Sequence, residues 1–338
     1  MAFQITIQSN GHSFAAAADE TILESADNAG IILPYGCRDG ACGSCKGKIL
    51  QGEVDHGMAQ DRALSVTERA AGMALFCCAT PLMDLVIETR EVNVANDIPA
   101  RMLPCRVQTL ERAAPDVMIM SLKLPTNERL QFRAGQYVEF VLKDGKRRAF
   151  SLANAPHDDE FLKLHVRMAP QGQFTTHVFE TMKVKEILRI EGPFGTFFLR
   201  EDSSKPIVLV AGGTGFAPIK AIIEHAIHNK MVHRPITLYW GARDRAGLYL
   251  PELPERWTAQ HPSIKYVPIL SDATAADQWT GRKGLVHQAV LEDFENLAGV
   301  QVYACGAPAM IDAAKHDFIE CGLPSEEFFA DSFTFAAT

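Results

Sequence analysis

Four cysteines constrain this chain more than any other feature of its sequence. Cys37, Cys42 and Cys45 lie in one glycine-rich loop, and Cys77 follows after 31 further residues. This C-x4-C-x2-C…C spacing is typical of loops that hold one [2Fe–2S] cluster on four thiolates. Glycines suit such a loop, because a backbone without side-chain bulk brings its N–H groups close to anionic sulfur. The spacing therefore predicts a metal centre that carries single electrons.

The fourth thiolate has two candidates, because Cys77 and Cys78 are adjacent in the sequence. Cys77 ends the apolar run Leu75-Phe76-Cys77 and precedes a predicted turn at residues 79–81. We expect Cys77 to be the ligand, although either thiol could reach the cluster. Cys78, Cys105 and Cys321 are then expected to be structural thiols, the commonest role of a free cysteine.

The charge of the chain is unevenly distributed. The net charge is −8, and residues 1–92 hold six Lys and Arg against twelve Asp and Glu. Proteins that bind nucleic acid are basic, so this distribution argues against a nucleic-acid partner. An acidic domain that carries a cluster is instead compatible with docking onto a basic patch of a protein partner.

Several classes of protein are disfavoured by length and hydropathy. No apolar run reaches the roughly 18–20 residues that a membrane span needs, so no membrane association is expected. The first residues alternate like a strand and do not resemble a signal peptide, and metal-binding cysteines suit a reducing compartment, so we expect a cytoplasmic protein. A chain of 338 residues is long for a single core, which predicts two or three domains.

Changes in the apolar pattern divide the chain into three domains, which predicts a multidomain fold of α+β and α/β class. Residues 1–92 form the cluster domain, residues 93–101 a linker, residues 102–200 a barrel and residues 204–338 an α/β domain. In the first domain we expect strands Phe3–Gln8, His12–Ala16 and Asp84–Thr89 and helix Thr21–Ala29. Many short strands predict an antiparallel barrel: Cys105–Thr109, Val117–Lys123, Gly135–Val141, Phe161–Val166 and Ile187–Glu191. Alternating strands and helices predict an open parallel sheet: strands Ile207–Ala211, Ile236–Gly241, Lys265–Leu270 and Val300–Cys305, with helices Ala217–Ala226 and Val286–Leu291.

Two motifs in the barrel region offer groups suited to a phosphate and an aromatic ring. Arg148, Phe150 and Ser151 follow a predicted strand and offer a guanidinium for phosphate, an aromatic face and a hydroxyl. The run 172–176 offers a glycine followed by amides and hydroxyls at a predicted helix start, which suits a pyrophosphate.

A third motif lies in the α/β region, where the run 208–219 reads strand, glycine turn and helix. Gly213 and Gly215 let the backbone approach a dinucleotide, whose phosphates would then face a helix N-terminus. The run 303–308 is a second strand end, predicted to lie at the same carboxyl edge of the sheet, where ligands of such folds bind.

The order R-x-[Y/F]-S, G-x-x-T-T, G-G-T-G-x-x-P and C-G-x-P resembles the ferredoxin–NADP reductase superfamily. With the N-terminal cysteine motif, the whole chain is similar to the reductase components of bacterial Rieske and diiron oxygenases. It is equally similar to the reductase of CDP-6-deoxyhexose biosynthesis. The resemblance implies a β-grasp-like ferredoxin, a barrel that binds FAD and an α/β domain that binds NAD(P).

The resemblance also assigns roles to residues. FAD-binding roles fall on Arg148, Phe150, Ser151, Leu152, His165, Val166, Gly172, Gln173, Thr175 and Thr176. Dinucleotide-binding roles fall on Gly213, Thr214, Gly215, Pro218, Arg243, Ser271, Asp272 and Gly306. Catalytic roles fall on Ser151 near flavin N5, on Cys305 near the nicotinamide, and on a C-terminal aromatic that covers the flavin: Phe333 is favoured over Phe329 and Phe335. The family usually has Tyr where this chain has Phe150, so stacking is kept and a phenolic hydrogen bond is lost.

The preferred nicotinamide cofactor is predicted from two strand ends. Asp272, after Ser271, would repel a 2′-phosphate and accept a hydrogen bond from a ribose hydroxyl. Arg243 is a cation, which would instead attract the 2′-phosphate of NADPH. We expect NADH to be preferred, with NADPH as the alternative.

These parts predict an NAD(P)H-dependent reductase that passes hydride electrons through FAD to the cluster and onward one at a time. The chain has neither the paired C-x-H and C-x2-H of a Rieske centre nor an E-x-x-H on a predicted helix, so the final chemistry belongs to another polypeptide. The first expectation for the acceptor is a terminal oxygenase of Rieske or diiron type that acts on small aromatic compounds. A dehydrase of CDP-6-deoxyhexose synthesis is the alternative, and a non-catalytic redox sensor or electron carrier is a remote third.

Overall fold

The computed structural model describes residues 2–89, 92 and 98–333. The chain divides into two units, one of residues 1–97 and one of residues 98–338. Among the residues described, no helix is long and apolar enough to cross a membrane.

The first unit is a mixed β-sheet with a helix packed on it. Its strands are β1 Ala2–Ile7, β2 Ser13–Ala17, β3 Lys46–Gln51, β4 Val54–Asp55, β5 Met73–Leu75, β6 Thr80–Pro81 and β7 Leu85–Glu88. Five of them form the sheet β2-β1-β7-β3-β5, in which only the β1–β7 pair is parallel. Helix α1 (Ile22–Asn28) begins at a capping box of Thr21 and Glu24, and helix α2 (Val66–Ala70) at one of Ser65 and Glu68. Strands β1, β2 and β7 and helix α1 match the sequence prediction, whereas β3, β5 and α2 were not predicted.

The second unit begins with a closed antiparallel barrel. Its strands are β8 Arg101–Ala114, β9 Val117–Lys123, β10 Tyr137–Val141, β11 Arg147–Ser151, β12 Leu162–Arg167 and β13 Ile187–Phe194. They run in the order β11-β10-β13-β8-β9-β12, and a bridge between Leu152 and Leu164 joins the two ends. Helix α3 (Gln173–Thr176) continues into a π-helical turn, His177–Thr181. The antiparallel barrel is confirmed, but the motif at Arg148 does not follow a strand as expected: it forms strand β11 itself.

The rest of the second unit is an open parallel sheet between helices. Its strands are β14 Ile207–Gly212, β15 Ile236–Ala242, β16 Ile264–Leu270, β17 Arg282–Lys283, β18 Gln301–Gly306 and β19 Phe328–Ser332. Their order is β17-β16-β15-β14-β18-β19, and every pair is parallel. The helices are α4 Phe216–His228, α5 Glu252–Gln260, α6 Val286–Asp293 and α7 Pro308–Glu320. β14 is apolar along its whole length, and β18 is apolar or small apart from Gln301, as suits strands buried on both faces.

The predicted linker lies only partly within the residues described, since positions 93–97 fall outside them. Val92 is buried and its N–H donates to the Ile32 carbonyl, so it is part of the first unit. Arg101, the last residue of the predicted linker, already belongs to β8. The domain boundaries otherwise stay a prediction.

Candidate functional site

The glycine-rich loop brings the predicted cluster ligands together as two pairs of thiols. The backbone N–H of Cys37 donates to Cys42 Sγ at 3.3 Å, and that of Cys42 donates to Cys37 Sγ at 3.3 Å. Cys45 forms the second pair with Cys77, with which it shares a thiol hydrogen bond. Each iron of a two-iron cluster takes two protein ligands, and each of these thiol pairs can supply the two ligands of one iron.

The electrostatics of the loop follow from these contacts. In each pair one thiol donates to the other, and the accepting sulfur is stabilised as the thiolate. The hydrogen bond from Cys37 lowers the pKa of Cys42 to about 7, and those from Cys45 and Cys78 lower the pKa of Cys77 to about 3. The donating partners are shifted the other way: the hydrogen bond to Cys42 raises the pKa of Cys37, and the one to Cys77 raises the pKa of Cys45. Metal ions replace such shared protons, so the donor set fits the cluster that the spacing predicts.

Cys78 lies beside the site without belonging to either pair. Its Sγ is 3.7 Å from Cys77 Sγ, and the thiol is buried. Gly40 closes the loop over it with a left-handed φ of 73°, and a Cβ at Gly40 would lie 2.7 Å from Cys78 Sγ. The Gly40 N–H donates to Cys77. These contacts favour Cys77 as the fourth ligand and explain why the loop needs glycine at position 40.

In the second unit, strand β12 has two different faces. Leu164 and Val166 point into the barrel core and are fully buried, as is Leu152 at the bridge that closes the barrel. Leu152 and Val166 therefore belong to the barrel core, and neither their side chains nor their backbone is exposed to a ligand. His165 and Arg167 alternate with them and point outward, toward the parallel sheet.

Strand β11 carries the predicted flavin motif. The Phe150 ring is half-buried and packs against Phe140 and Phe174, with ring centroids 5.7 and 5.5 Å apart. Arg148, two residues earlier on the same face, donates from Nη1 to the Arg147 carbonyl at 2.7 Å and keeps the rest of its guanidinium free of protein hydrogen bonds in the region described.

The predicted pyrophosphate loop is shaped by Thr175. Its hydroxyl accepts from the Ala169 N–H at 3.1 Å and donates to the Gly172 carbonyl at 3.0 Å. Thr175 therefore fixes the loop before helix α3 and does not offer a free hydroxyl. Gln173, the first residue of that helix, is exposed, and Thr176, its last residue, is half-buried, so their polar groups remain accessible.

Ser151 and Cys305 meet through a residue that the sequence analysis did not single out, Asp331. Ser151 Oγ donates to Asp331 Oδ2 at 3.3 Å, and Cys305 on β18 pairs in register with Asp331 on β19. Burial raises the pKa of Asp331 to about 6, against which the Ser151 hydrogen bond acts. Burial also raises the pKa of Cys305, which keeps its thiol neutral. A carboxylate in the apolar run 328–332 was the signal that could have identified this residue.

The glycine turn after β14 is buried and closely packed. Gly213 adopts a left-handed φ of 53°, and its carbonyl accepts a hydrogen bond from Trp240 Nε1 at 3.0 Å. A Cβ at Gly215 would lie 2.0 Å from the Cys305 carbonyl oxygen, so that glycine is required by the β18 contact. Thr214 is buried between them, and Gly306 lies against Gly212.

Arg167 is a second functional candidate that sequence reasoning missed. Its guanidinium lies over the glycine turn, where a Cβ at Gly213 would be 2.3 Å from Arg167 Nη1. Arg167 Nε is 3.1 Å from Asp116 Oδ2. A cation beside a glycine turn and the first turn of α4, where Pro218 is buried, suits a pyrophosphate.

The residues predicted to choose the nicotinamide cofactor lie together at the carboxyl edge of the sheet. The Asp272 N–H donates to the Arg243 carbonyl at 2.9 Å, and Ser271 Oγ donates to Asp272 Oδ2 at 3.1 Å. The side chains of all three are exposed. The acid and the base therefore compete at one place on the edge.

The aromatic candidates for covering the flavin differ in position. Phe329 is buried and its ring stacks on Tyr303, with centroids 4.7 Å apart, so it belongs to the core. Phe333 is half-buried, and its N–H donates to the Gly306 carbonyl at 2.8 Å, beside Cys305. Phe335 lies outside the described residues. Phe333 is therefore the candidate nearest the site.

Three domain families match consecutive parts of the chain. A 2Fe-2S iron-sulfur cluster binding domain matches residues 5–82, an oxidoreductase FAD-binding domain residues 104–199 and an oxidoreductase NAD-binding domain residues 209–316.

Known proteins resemble the chain over its whole length. The CDP-6-deoxy-L-threo-D-glycero-4-hexulose-3-dehydrase reductase of Yersinia pseudotuberculosis is 40% identical over 333 residues, which cover 98% of this chain and 99% of the relative. Reductase component 1 of terephthalate 1,2-dioxygenase from Comamonas sp is 36% identical over 342 residues, which cover 100% and 99%. Among solved structures, the Amycolatopsis cytochrome P450 reductase GcoB superposes with a TM-score of 0.79 at 35% identity, covering 99% of this chain and 100% of that one.

Proposed function

Because this chain belongs to the family of iron–sulfur flavoprotein reductases that join a ferredoxin domain to FAD- and NAD-binding domains, we propose that it delivers electrons from NADH to a terminal oxygenase. The chain is an oxidoreductase, and its cofactors are a [2Fe–2S] cluster, FAD and NAD(H). The proposal adds the acceptor, a Rieske or diiron oxygenase on a separate polypeptide in the cytoplasm.

The contact that best supports a hydride site in this chain is the one between Ser151 and Asp331, in register with Cys305. When bound, FAD takes two electrons from a reduced nicotinamide, and the cluster carries one electron at a time. Arg148 would neutralise the FAD phosphates, and Phe150 would pack against the flavin ring. Ser151 holds its hydroxyl proton on Asp331 Oδ2, which orients the oxygen toward the site.

The nicotinamide dinucleotide would be held at the glycine turn, at the carboxyl edge of the parallel sheet. The backbone of Gly213, Thr214 and Gly215 and the guanidinium of Arg167 form a cationic cradle for the pyrophosphate. Cys305 and Phe333 would contact the nicotinamide and flavin rings as neutral side chains that exclude water. No protein acid or base is needed for hydride transfer, so Asp331 acts by orienting Ser151 and not by proton transfer to substrate.

The acceptor is argued from similarity and from what the sequence lacks. The chain aligns from end to end with a dioxygenase reductase component and carries no Rieske or diiron motif of its own. Its acidic first domain is suited to a partner with a basic docking surface.

A second candidate acceptor is supported by a separate sequence similarity. The 40% identity to a CDP-hexulose dehydrase reductase also covers the whole chain, so a sugar-nucleotide dehydrase is the alternative partner. Both candidates require the same cofactors and the same residues in the chain, and they differ only in the protein that receives the electrons.

Affinity capture separates the two candidates. The holoprotein is immobilised, and the proteins that it retains from a lysate of its own cells are identified by mass spectrometry. Retention of an oxygenase subunit is expected. Retention of a sugar-nucleotide dehydrase would replace the oxygenase by the second candidate and leave every cofactor assignment unchanged.

An assay with an artificial acceptor addresses the remote third reading, a non-catalytic carrier. The holoprotein should reduce cytochrome c with NADH in steady state, and a Cys77→Ser variant should lose that activity while its FAD is still reduced by NADH. A wild-type protein that binds all three cofactors but does not turn over would contradict the proposed function.

A further inference from the structure

The outward face of β12 makes a buried polar contact with the parallel-sheet region that the reaction described above does not use. His165 Nδ1 lies 2.8 Å from the Tyr249 hydroxyl, and the two rings meet edge to face with centroids 5.4 Å apart. Both side chains are only 7% exposed. One hydrogen bond therefore joins a barrel strand to the segment that follows β15.

Tyr249 continues this contact to the glycine turn through Trp240. The two rings meet edge to face at 5.3 Å, and Trp240 stacks on Phe216 at 3.8 Å. Trp240 Nε1 donates to the Gly213 carbonyl at 3.0 Å. Gly213 has a left-handed backbone, and this indole bond fixes the orientation of its peptide. The series His165–Tyr249–Trp240 thus runs from the barrel to the nucleotide turn.

Both polar members of this series are neutral. Burial, followed by the charges of Lys220 and Lys163, lowers the pKa of His165 to about 3, and burial raises the pKa of Tyr249. A neutral buried pair has strict directionality and is not weakened by salt. Its loss would leave an unpaired nitrogen in the interior, and that cost favours a shift of the two elements relative to each other.

We propose that the His165–Tyr249–Trp240 series is a positioning element, which sets the distance between the flavin site on the barrel and the nicotinamide site at the glycine turn. None of the three needs to touch the reacting atoms. The inference rests on the assignment of these two sites in the proposed function but not on the identity of the acceptor. A displacement of about 1 Å between reacting groups is enough to slow a reaction by up to about a hundredfold.

The test is Tyr249→Phe in the holoprotein, which removes one hydroxyl and keeps the ring. Flavin reduction by NADH is followed in a stopped-flow instrument over a range of NADH concentrations. We expect unchanged FAD and iron content, a dissociation constant for NADH within twofold of wild type, and a limiting rate of flavin reduction about tenfold lower. The long-wavelength charge-transfer absorbance of the NADH complex, which reports ring stacking, should fall in parallel.

Tyr266→Phe is the matched control. The Tyr266 ring also packs near the Trp240 ring, with centroids 6.5 Å apart. Its buried hydroxyl, however, has no hydrogen-bond partner in the part of the chain that the structure describes. It should behave as wild type in rate, affinity and spectrum. Trp240→Phe keeps the stacking and loses the bond to Gly213, so it should weaken NADH binding severalfold.

Two outcomes would overturn the inference. One is a Tyr249→Phe protein whose limiting rate and charge-transfer band match those of the Tyr266→Phe control. The other is a Tyr249→Phe protein that loses FAD or NADH affinity as strongly as it loses rate, which would make the contact merely structural. If NADH does not reduce the flavin of the wild-type holoprotein, that result would instead contradict the proposed function.

Discussion

The cluster loop and the hydride site are built in opposite ways. Three of the four predicted cluster ligands lie in one loop of nine residues, 37–45, and the fourth, Cys77, lies just after β5. The proposed hydride site collects Ser151, Arg167, Gly213, Cys305 and Asp331 from five different strands or strand ends. A site contained in one loop can be recognised from spacing, whereas a site assembled by the sheet needs the fold before its members can be identified.

The same difference governs the electrostatics of the two sites. In the loop the pKa shifts arise between the ligands themselves, because paired thiols share protons. At the hydride site the raised pKa of Asp331 arises from burial by elements distant in sequence. Substitutions should therefore act locally in the first site and across the fold in the second.

The largest expected effect is at the loop. Cys77→Ser should abolish assembly of the cluster, because Cys45 would lose its partner and one metal would lack a thiolate. Cys78→Ser should keep the cluster, since Cys78 belongs to neither thiol pair and lies 3.7 Å from Cys77 Sγ. The measurement is iron content and visible absorbance of the purified proteins, with FAD content as the control for folding.

A normal cluster in Cys77→Ser would contradict the assignment of Cys77, and not Cys78, as the fourth ligand. The ligand role would then pass to Cys78, which lies 3.7 Å away. Loss of the cluster in both variants would mean that both thiols are needed for the loop.

The second expected effect concerns the independence of the two sites. Arg148→Ala should weaken FAD binding by about 10- to 100-fold, because charge-assisted hydrogen bonds to phosphate are lost. The cluster should be unaffected. Arg147→Ala is the matched control: that residue points to the opposite face and pairs with Glu139 at 2.9 Å. FAD affinity is measured by fluorescence titration of apoprotein, and iron content is measured on the same samples.

A result that contradicts this separation is the joint loss of FAD and cluster in Arg148→Ala. Equal loss of FAD in the Arg147→Ala control would instead point to a general defect of strand β11.

The sequence predicts much of this molecule and misses particular parts for identifiable reasons. The barrel and the parallel sheet follow from strand patterns, and helix α1 lies within the predicted helix Thr21–Ala29, beginning at a capping box of Thr21 and Glu24. Strand β11 was missed because Arg147 and Arg148 interrupt its apolar pattern. Arg167 was missed because no local motif marks it, and its position over Gly213 is set by the fold. Asp331 is a carboxylate in an apolar run, but its pairing with Cys305 is set by the strand register.

A third, smaller effect is expected at the cofactor-selecting edge. Asp272→Arg should raise the ratio of kcat/KM for NADPH to that for NADH by about tenfold, since a cation replaces a charge that repels the 2′-phosphate. Asp272→Asn removes the repulsion without adding attraction and should give an intermediate ratio. An unchanged ratio in both variants would leave the choice to Arg243.

The smallest effect tests the electrostatics of the hydride site through stability. The pKa of Asp331 is about 6 in the folded protein and near its ordinary value of 3.8 when unfolded. At a pH between these two pKa values, the folded state keeps a proton that the unfolded state has released. Asp331 therefore lowers the free energy of unfolding progressively as the pH rises from about 3.8 to about 6. Asp331→Asn removes the dependence, and its stability advantage over wild type should grow by about 1 kcal/mol from pH 5 to pH 8, allowing for partial exposure.

Thermal unfolding followed by release of FAD fluorescence at the two pH values measures this difference. Asp61→Asn is the control, because the Asp61 side chain is 84% exposed and its unfolding temperature should shift equally at both values. An Asp331→Asn advantage that stays constant from pH 5 to pH 8 would show that bound FAD leaves the carboxyl hydrated. The hydride site would then resemble the loop after all, in that its charges are set by immediate neighbours such as Ser151 and not by burial within the assembled fold.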